Sequence, residues 1–259
     1  MDDIVRQRDH FEKIAELYRQ ARNDPKHLLL KKYIWDIFLK GISFPAVEKL
    51  NVLEAMCGYG EFYDILQERL DKDFVFDAFD YSESMVAFAQ ERNPGINIWT
   101  QDVTTFCAPN SYDIICVIGG LHHVHRYIDK VLRNISLSLR SDGLFINLEP
   151  TANNPIFTWT RQAIYRKNSF FDADTERGFT TAELNKAVLS RGMRLIRQLY
   201  PGLLAYVLWY NPDALPWLNK GTSFFAEELI RTESKVWESG LARFFSFATL
   251  SCYRKVTSP

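Results

Sequence analysis

Between Leu50 and Leu148 short apolar runs alternate with stretches of helical period. Val52 to Met56 is apolar except for Glu54, and Phe74 to Phe79 except for Asp77. Ile96 and Ile98 mark a short run, Tyr112 to Ile118 a longer one, and Leu144 to Ile146 a third. Each reads as a strand, and runs this rich in Val, Ile and Phe suit a sheet buried on both faces. Strands that alternate with helices call for a parallel sheet. Right-handed crossovers then carry the loops that follow the strands to one edge of it. Ahead of the repeat, residues 5–22 place Phe11, Ile14, Ala15 and Tyr18 on one helical face. Asp24-Pro25 is an N-cap and first-turn proline that open a second helix, through about Leu39.

After Leu148 the pattern changes. Thr151 to Gly178 is aromatic and basic, with Phe157, Trp159, Arg161, Tyr165, Arg166, Lys167, Phe170 and Phe171. An insertion after the fifth strand is placed to act as a lid. Thr180-x-x-Glu183 is a capping box for a helix through about Arg191. Leu203 to Tyr210, with Pro212, Leu215, Pro216, Trp217 and Leu218, is an apolar excursion before a helix near 223–238. Phe244 to Tyr253 reads as the last strand.

The chain has 259 residues, 47% hydrophobic and 24% charged, enough for one large domain with an appended cap. Its net charge of −1 gives no electrostatic case for nucleic acid or an anionic membrane. Cys57, Cys107, Cys116 and Cys252 form no C-x-x-C pair and read as reduced thiols. The opening Met1-Asp2-Asp3 is acidic, unlike a signal or transit peptide. No apolar run approaches membrane-spanning length. The expected location is the cytoplasm.

The chemistry concentrates at Glu54-Ala55-Met56-Cys57-Gly58-Tyr59-Gly60-Glu61, with Asp80 ending the next apolar run. Glycines let backbone approach a ligand, and an acid on the neighbouring strand end can hold ribose hydroxyls. A dinucleotide fingerprint would place a third glycine where Tyr63 stands. Glu54 and Glu61 are unsuited to a pyrophosphate and suited to an amine or sulfonium.

This stretch resembles motif I of the class I S-adenosylmethionine (SAM)-dependent methyltransferases, with Met56 in place of the first glycine. Asp80-Tyr81-Ser82-Glu83-Ser84-Met85 resembles the end of the family's second strand, which assigns the ribose hydroxyls to Asp80 and not to Asp77. Ser82 is placed to cap the following helix. Gln101-Asp102-Val103 matches the loop whose acid meets the adenine amino group. Gly119-Gly120-Leu121-His122-His123-Val124 is similar to the segment beside the methyl group. Leu139-Arg140-Ser141-Asp142-Gly143-Leu144 resembles the turn into the fifth strand, with Ser and Asp replacing Pro and the first Gly. Phe11-x-x-Ile14-Ala15-x-x-Tyr18 resembles the family's opening helix, in which the tyrosine either faces the active site or packs on the sheet.

The resemblance implies a Rossmann-like α/β fold of seven mostly parallel strands, with helices on both faces, N-terminal helices and a C-terminal cap insertion. Residues 1–45 would form the helical cap, 46–150 the SAM-binding core, and 151–259 the lid, final strands and aromatic insertion of the same domain. The sixth and seventh strands would be antiparallel, with roughly forty residues between them. The implied cofactor set is Tyr18, Glu54, Met56, Gly58, Gly60, Asp80, Tyr81, Met85, Asp102, Val103, Ile118 and Gly119. It would bind SAM and its product S-adenosylhomocysteine.

Methyl transfer is an in-line displacement that rests on positioning, and an oxygen nucleophile needs a base as well. His122, His123 and Glu149 are the candidates. His122 can act as a base, contact substrate or pack; His123 can orient the loop. Glu149 can contact substrate or orient a histidine, or it can be a solvated strand-end acid. His125 is expected to start a helix. H-H-x-H in one loop does not converge on one metal ion, and none is expected. The reading is methyl transfer to oxygen, nitrogen or carbon of a small, partly apolar molecule. The alternative is a SAM-binding chain without methyl transfer, cyclase-like or a silent partner subunit. The aromatic tail can be a cap, a homodimer surface or a pocket for an apolar substrate.

Overall fold

The computed structural model describes residues 3–21, 23–165, 177–212 and 216–256. Two helices lead, α1 (Asp3–Ala21) and α2 (Pro25–Lys40). The Asp24 carboxylate accepts the N–H groups of Lys26 and His27, which fixes where α2 starts. The inner face of α2 then buries Leu30, Ile34, Trp35 and Phe38 against the sheet.

The core alternates as its sequence predicts: β1 (Leu50–Ala55), α3 (Phe62–Gln67), β2 (Phe74–Asp80), α4 (Glu83–Arg92), β3 (Asn97–Thr100) and β4 (Tyr112–Ile118). After a 3₁₀ segment (Leu121–Tyr127) come α5 (Ile128–Ser138) and β5 (Leu139–Pro150). Then follow α6 (Pro155–Tyr165), α7 (Thr181–Leu189), β6 (Met193–Leu199), α8 (Leu204–Trp209), α9 (Ser223–Ser234), α10 (Gly240–Phe245) and β7 (Ala248–Lys255). The seven strands run in the order β3-β2-β1-β4-β5-β7-β6. Strands β1 to β5 pair in parallel, and β7 lies antiparallel to both β5 and β6. This is a Rossmann-like, mostly parallel seven-stranded sheet with helices packed on both faces.

Each central strand feeds two cores. Val52, Ile114 and Ile146 pack with α2, α3, α8 and α9, while Leu53, Ile115 and Phe145 pack with α5 and α7. That alternation is the period-two consequence of a strand buried on both faces. The strand order reverses between β1 and β4, which opens a crevice beyond their carboxyl ends. Asp142 holds a left-handed φ of +64° in the turn within β5, where the family resemblance places a glycine. Its carboxylate is held by Arg254 of β7 at 2.8 Å.

Three local expectations are corrected. His125 lies inside the 3₁₀ segment, and the helix begins at Ile128. Phe244 and Phe245 belong to α10, started by the Ser239 hydroxyl, which accepts the Ala242 N–H at 3.1 Å; β7 begins only at Ala248. The helix near 223–238 ends at Ser234. The excursion at Leu203 to Tyr210 is largely α8, whose Trp209 is fully buried. Of the lid residues, Arg166, Lys167, Phe170 and Phe171 lie outside the described residues, as do the side chains of Tyr165 and Tyr18. Among the described residues no helix is long and apolar enough to cross a membrane.

Candidate functional site

The crevice becomes a cleft through the loop after β1. Met56, Gly58 and Gly60 all have left-handed φ, at +57°, +51° and +69°. A Cβ on Gly58 would meet nothing within 4 Å, so bare backbone faces open space there. Gly60 is constrained from the other side: its Cβ would fall 2.9 Å from Asn93 Nδ2 and 3.1 Å from Ala89 Cβ of α4. The Asn93 amide also donates to the Gly60 carbonyl at 3.0 Å. One glycine of the pair therefore faces the cleft and the other packs the loop on α4. Tyr63, at the third-glycine position, packs edge-on against Phe74 and Phe76 of β2.

Asp80 ends β2 beside this loop. One carboxylate oxygen accepts the Gly58 N–H at 2.8 Å and the other the Ser82 N–H at 2.9 Å. Each oxygen keeps a second lone pair, enough for two vicinal hydroxyls. Burial raises the Asp80 pKa against the pull of these N–H donors. Asp77, three residues back, instead accepts the Tyr112 hydroxyl and the Asn97 amide. Asp102 accepts the Thr104 N–H at 2.7 Å, an Asx turn that fixes the loop after β3.

The cleft encloses about 860 Å³ including its mouth. Of the residues expected at a cofactor site, Glu54, Met56, Gly58, Asp80, Tyr81, Met85, Asp102, Val103, Ile118 and Gly119 line it, together with His123. Gly60, His122 and Glu149 do not. The cleft also has a roof that local patterning misses: Gln7, Arg8 and Phe11 of α1. Glu12 ties that roof down by accepting the Ser82 hydroxyl at 2.8 Å and both the N–H and hydroxyl of Ser84. Desolvation alone would raise the Glu12 pKa, and the Ser84 and Ser82 donors outweigh it and hold it low. The F-x-x-I-A-x-x-Y signal pointed to this helix, and Phe11, its first position, meets His123 edge-on at 5.0 Å.

Two buried glutamates stand at strand ends. Glu54, 1% exposed, lies at the floor of the cleft and accepts the Phe62 N–H at 3.2 Å. Beside it Glu61 is ion-paired with buried Lys31 of α2. Burial, and then the Glu61 charge, push the Glu54 carboxyl up to about 8. Glu149, 2% exposed, accepts the N–H groups of Gly120, Leu121 and His122 at 3.1, 2.8 and 3.2 Å, and meets His122 Nδ1 at 3.0 Å. Burial pushes Glu149 up to about 8 and His122 down to about 3, the latter with smaller contributions from Arg161 and His125. The pair is therefore neutral near pH 7. It anchors the loop after β4 from behind, and His123, whose pKa burial and then His122 depress, presents the imidazole that faces the cleft.

Residues 52–143 match the family described as "Methyltransferase domain". The matched stretch runs from β1 into β5 and carries the loops after β1, β2 and β4 that line the cleft. No curated protein matches the chain in sequence. Among solved structures, the chain is similar to one in the complex of the Haloferax volcanii Trm112 methyltransferase activator with a methyltransferase. That match has a TM-score of 0.64 and 15% identity, over 97% of this chain and 98% of that one. It is also similar to the [4+2]-cyclase SpnF (TM-score 0.60, 14% identity, 88% and 82% covered). A SAM-dependent methyltransferase from Mesorhizobium loti gives 0.57 and 18% identity, over 86% and 98%. At these identities the likeness concerns the fold.

Proposed function

We propose that the chain is a SAM-dependent methyltransferase acting on a small, partly apolar metabolite. The observation that carries the reading is the convergence, on one cleft at the strand-order reversal, of Glu54, Asp80 and Asp102 around the bare backbone of Gly58. Asp80 holds the two ribose hydroxyls with its remaining lone pairs. Asp102 accepts from the adenine amino group, while Val103 and Met85 pack the base. Glu54 takes the ammonium of the amino-acid end. When bound, SAM supplies a methyl group on a sulfonium, open to in-line attack by an acceptor.

The acceptor side is lined by Ile118, Val124, Phe11 and His123, mostly apolar, which favours a small apolar acceptor over a highly charged one. His122 and Glu149 act by positioning: their contact fixes the loop that carries His123 and Gly119. With its basicity depressed, His123 orients the acceptor more readily than it removes a proton. An amine, thiol or carbon nucleophile suits this site better than an alcohol.

Removing Asp80 leaves two ribose hydroxyls without their acceptor. Asp80→Ala is expected to weaken S-adenosylhomocysteine binding at least about thirtyfold, roughly 2 kcal/mol of lost charge-assisted hydrogen bonds. Ligand-dependent thermal shift measures it. Unchanged affinity in a folded variant would remove the site assignment. Mass spectrometry of extracts incubated with SAM then seeks an acceptor that gains one methylene.

A second reading is a SAM-binding subunit or cyclase-like enzyme without methyl transfer. It is favoured by the apolar side chains left exposed on the helices after β5, including Trp159 at 71%, Phe224 at 74% and Leu241 at 65%. Such a surface suits a protein partner or a second copy. Cofactor binding with no transfer to any acceptor would select this reading.

A further inference from the structure

The two acids at the floor of the cleft are not equivalent. Glu54 and Glu61 both line it, yet only Glu61 is ion-paired, with Lys31. Lys31 reaches in from α2 and is itself 6% exposed. Two carboxylates and one ammonium, all buried, leave one negative charge over if both acids are ionised. A lone buried carboxylate is among the costliest groups to keep charged, and it avoids that cost by holding its proton. The other charged or titratable groups around Glu54 are Arg92 of α4, Cys57 of the loop and Cys116 of β4. Arg92 is already engaged by Asp64, and both thiols are held neutral by burial.

We infer that Glu54 carries a proton in the free protein and releases it when the cofactor's ammonium arrives, and that the Lys31–Glu61 pair makes it do so. The inference rests on the proposed SAM site. In the exchange the Glu54 O–H bond breaks, the proton passes to solvent, and the carboxylate pairs with the ligand's ammonium. Charge at the floor stays balanced before and after. Lys31 thereby becomes a specificity-determining residue: by cancelling Glu61 it tunes the floor to accept one cation and no more.

The test is titration calorimetry on the full chain with S-adenosylhomocysteine, in two buffers of different ionisation enthalpy at pH 7. 5′-Methylthioadenosine, which keeps the nucleoside and lacks the amino-acid end, is the comparison. About one proton is expected to be released with the first ligand and none with the second. Affinity for the first should rise about tenfold per pH unit between pH 6 and 7. Glu54→Gln should abolish the release.

Glu61→Gln gives a sharper outcome. It frees Lys31 to pair with Glu54, so Glu54 is ionised beforehand and the release disappears although Glu54 is intact. Removing both charges together, in Lys31→Met with Glu61→Gln, should restore it. Equal proton counts for the two ligands, or a release that survives Glu54→Gln, would overturn the inference while leaving the SAM site standing. Failure of both ligands to bind would instead strike the proposed function, and the inference with it.

Discussion

Glu54 and Glu149 occupy matching places and differ in what they face. Each stands at the carboxyl end of a central strand, is at most 2% exposed, accepts backbone N–H groups and is pushed by burial to about 8. Glu149 is saturated by three N–H groups and the His122 ring, and lies behind the loop it organises. Glu54 takes one N–H, opens onto the cleft and sits beside a second acid. A buried carboxylate with its donors in place is structural. One with acceptor capacity to spare, aimed at a cavity, is suited to bind a cation.

Truncation should separate the two most strongly. Glu149→Ala leaves three N–H groups without an acceptor and is expected to cost about 3–5 kcal/mol of stability, given roughly 1–3 kcal/mol for each orphaned buried donor and imperfect additivity. Glu54→Ala orphans only one N–H, so about 1 kcal/mol is expected. Urea denaturation measures both. Equal losses would erase the distinction between them.

A smaller effect sharpens the comparison through pH. Both carboxyls bind protons more tightly in the folded chain, about 8 against an ordinary 4.5, so each contributes a stability that declines as pH rises from about 4.5 to 8. His122 works in the opposite direction: its folded value near 3, against 6.5, makes stability climb as pH rises from about 3 to 6.5. Glu54→Gln and Glu149→Gln should each flatten the decline between pH 6 and 8 in denaturation midpoints. S-adenosylhomocysteine should do the same for Glu54 alone, by holding it ionised. A ligand that flattened the Glu149 contribution equally would mean that both acids face the site.

The sequence makes Glu54, Asp80, Asp102 and Ile118 legible because each is tied to the end of a strand, and parallel topology brings strand ends to one edge. The corrections lie where that logic stops. The roof of Gln7, Arg8 and Phe11 depends on how α1 docks, through Glu12 on Ser82 and Ser84, a tertiary contact with no local signature. Glu149 lies near the end of β5 and His122 follows β4, but the direction of a side chain in a 3₁₀ segment is not periodic. Phe244 and Phe245 read as strand because a short aromatic run looks alike in both states. The Ser239 cap that makes them helical was present in the sequence and outweighs the run.

Which acid meets the ligand is decided most directly by a crystal structure of the complex with S-adenosylhomocysteine. The expected result has the ribose hydroxyls on Asp80, the adenine amino group at Asp102 and the ammonium on Glu54, with Glu149 still bound to the three N–H groups of its loop. A nucleoside lodged outside this cleft, or an ammonium held by a residue other than Glu54, would contradict it.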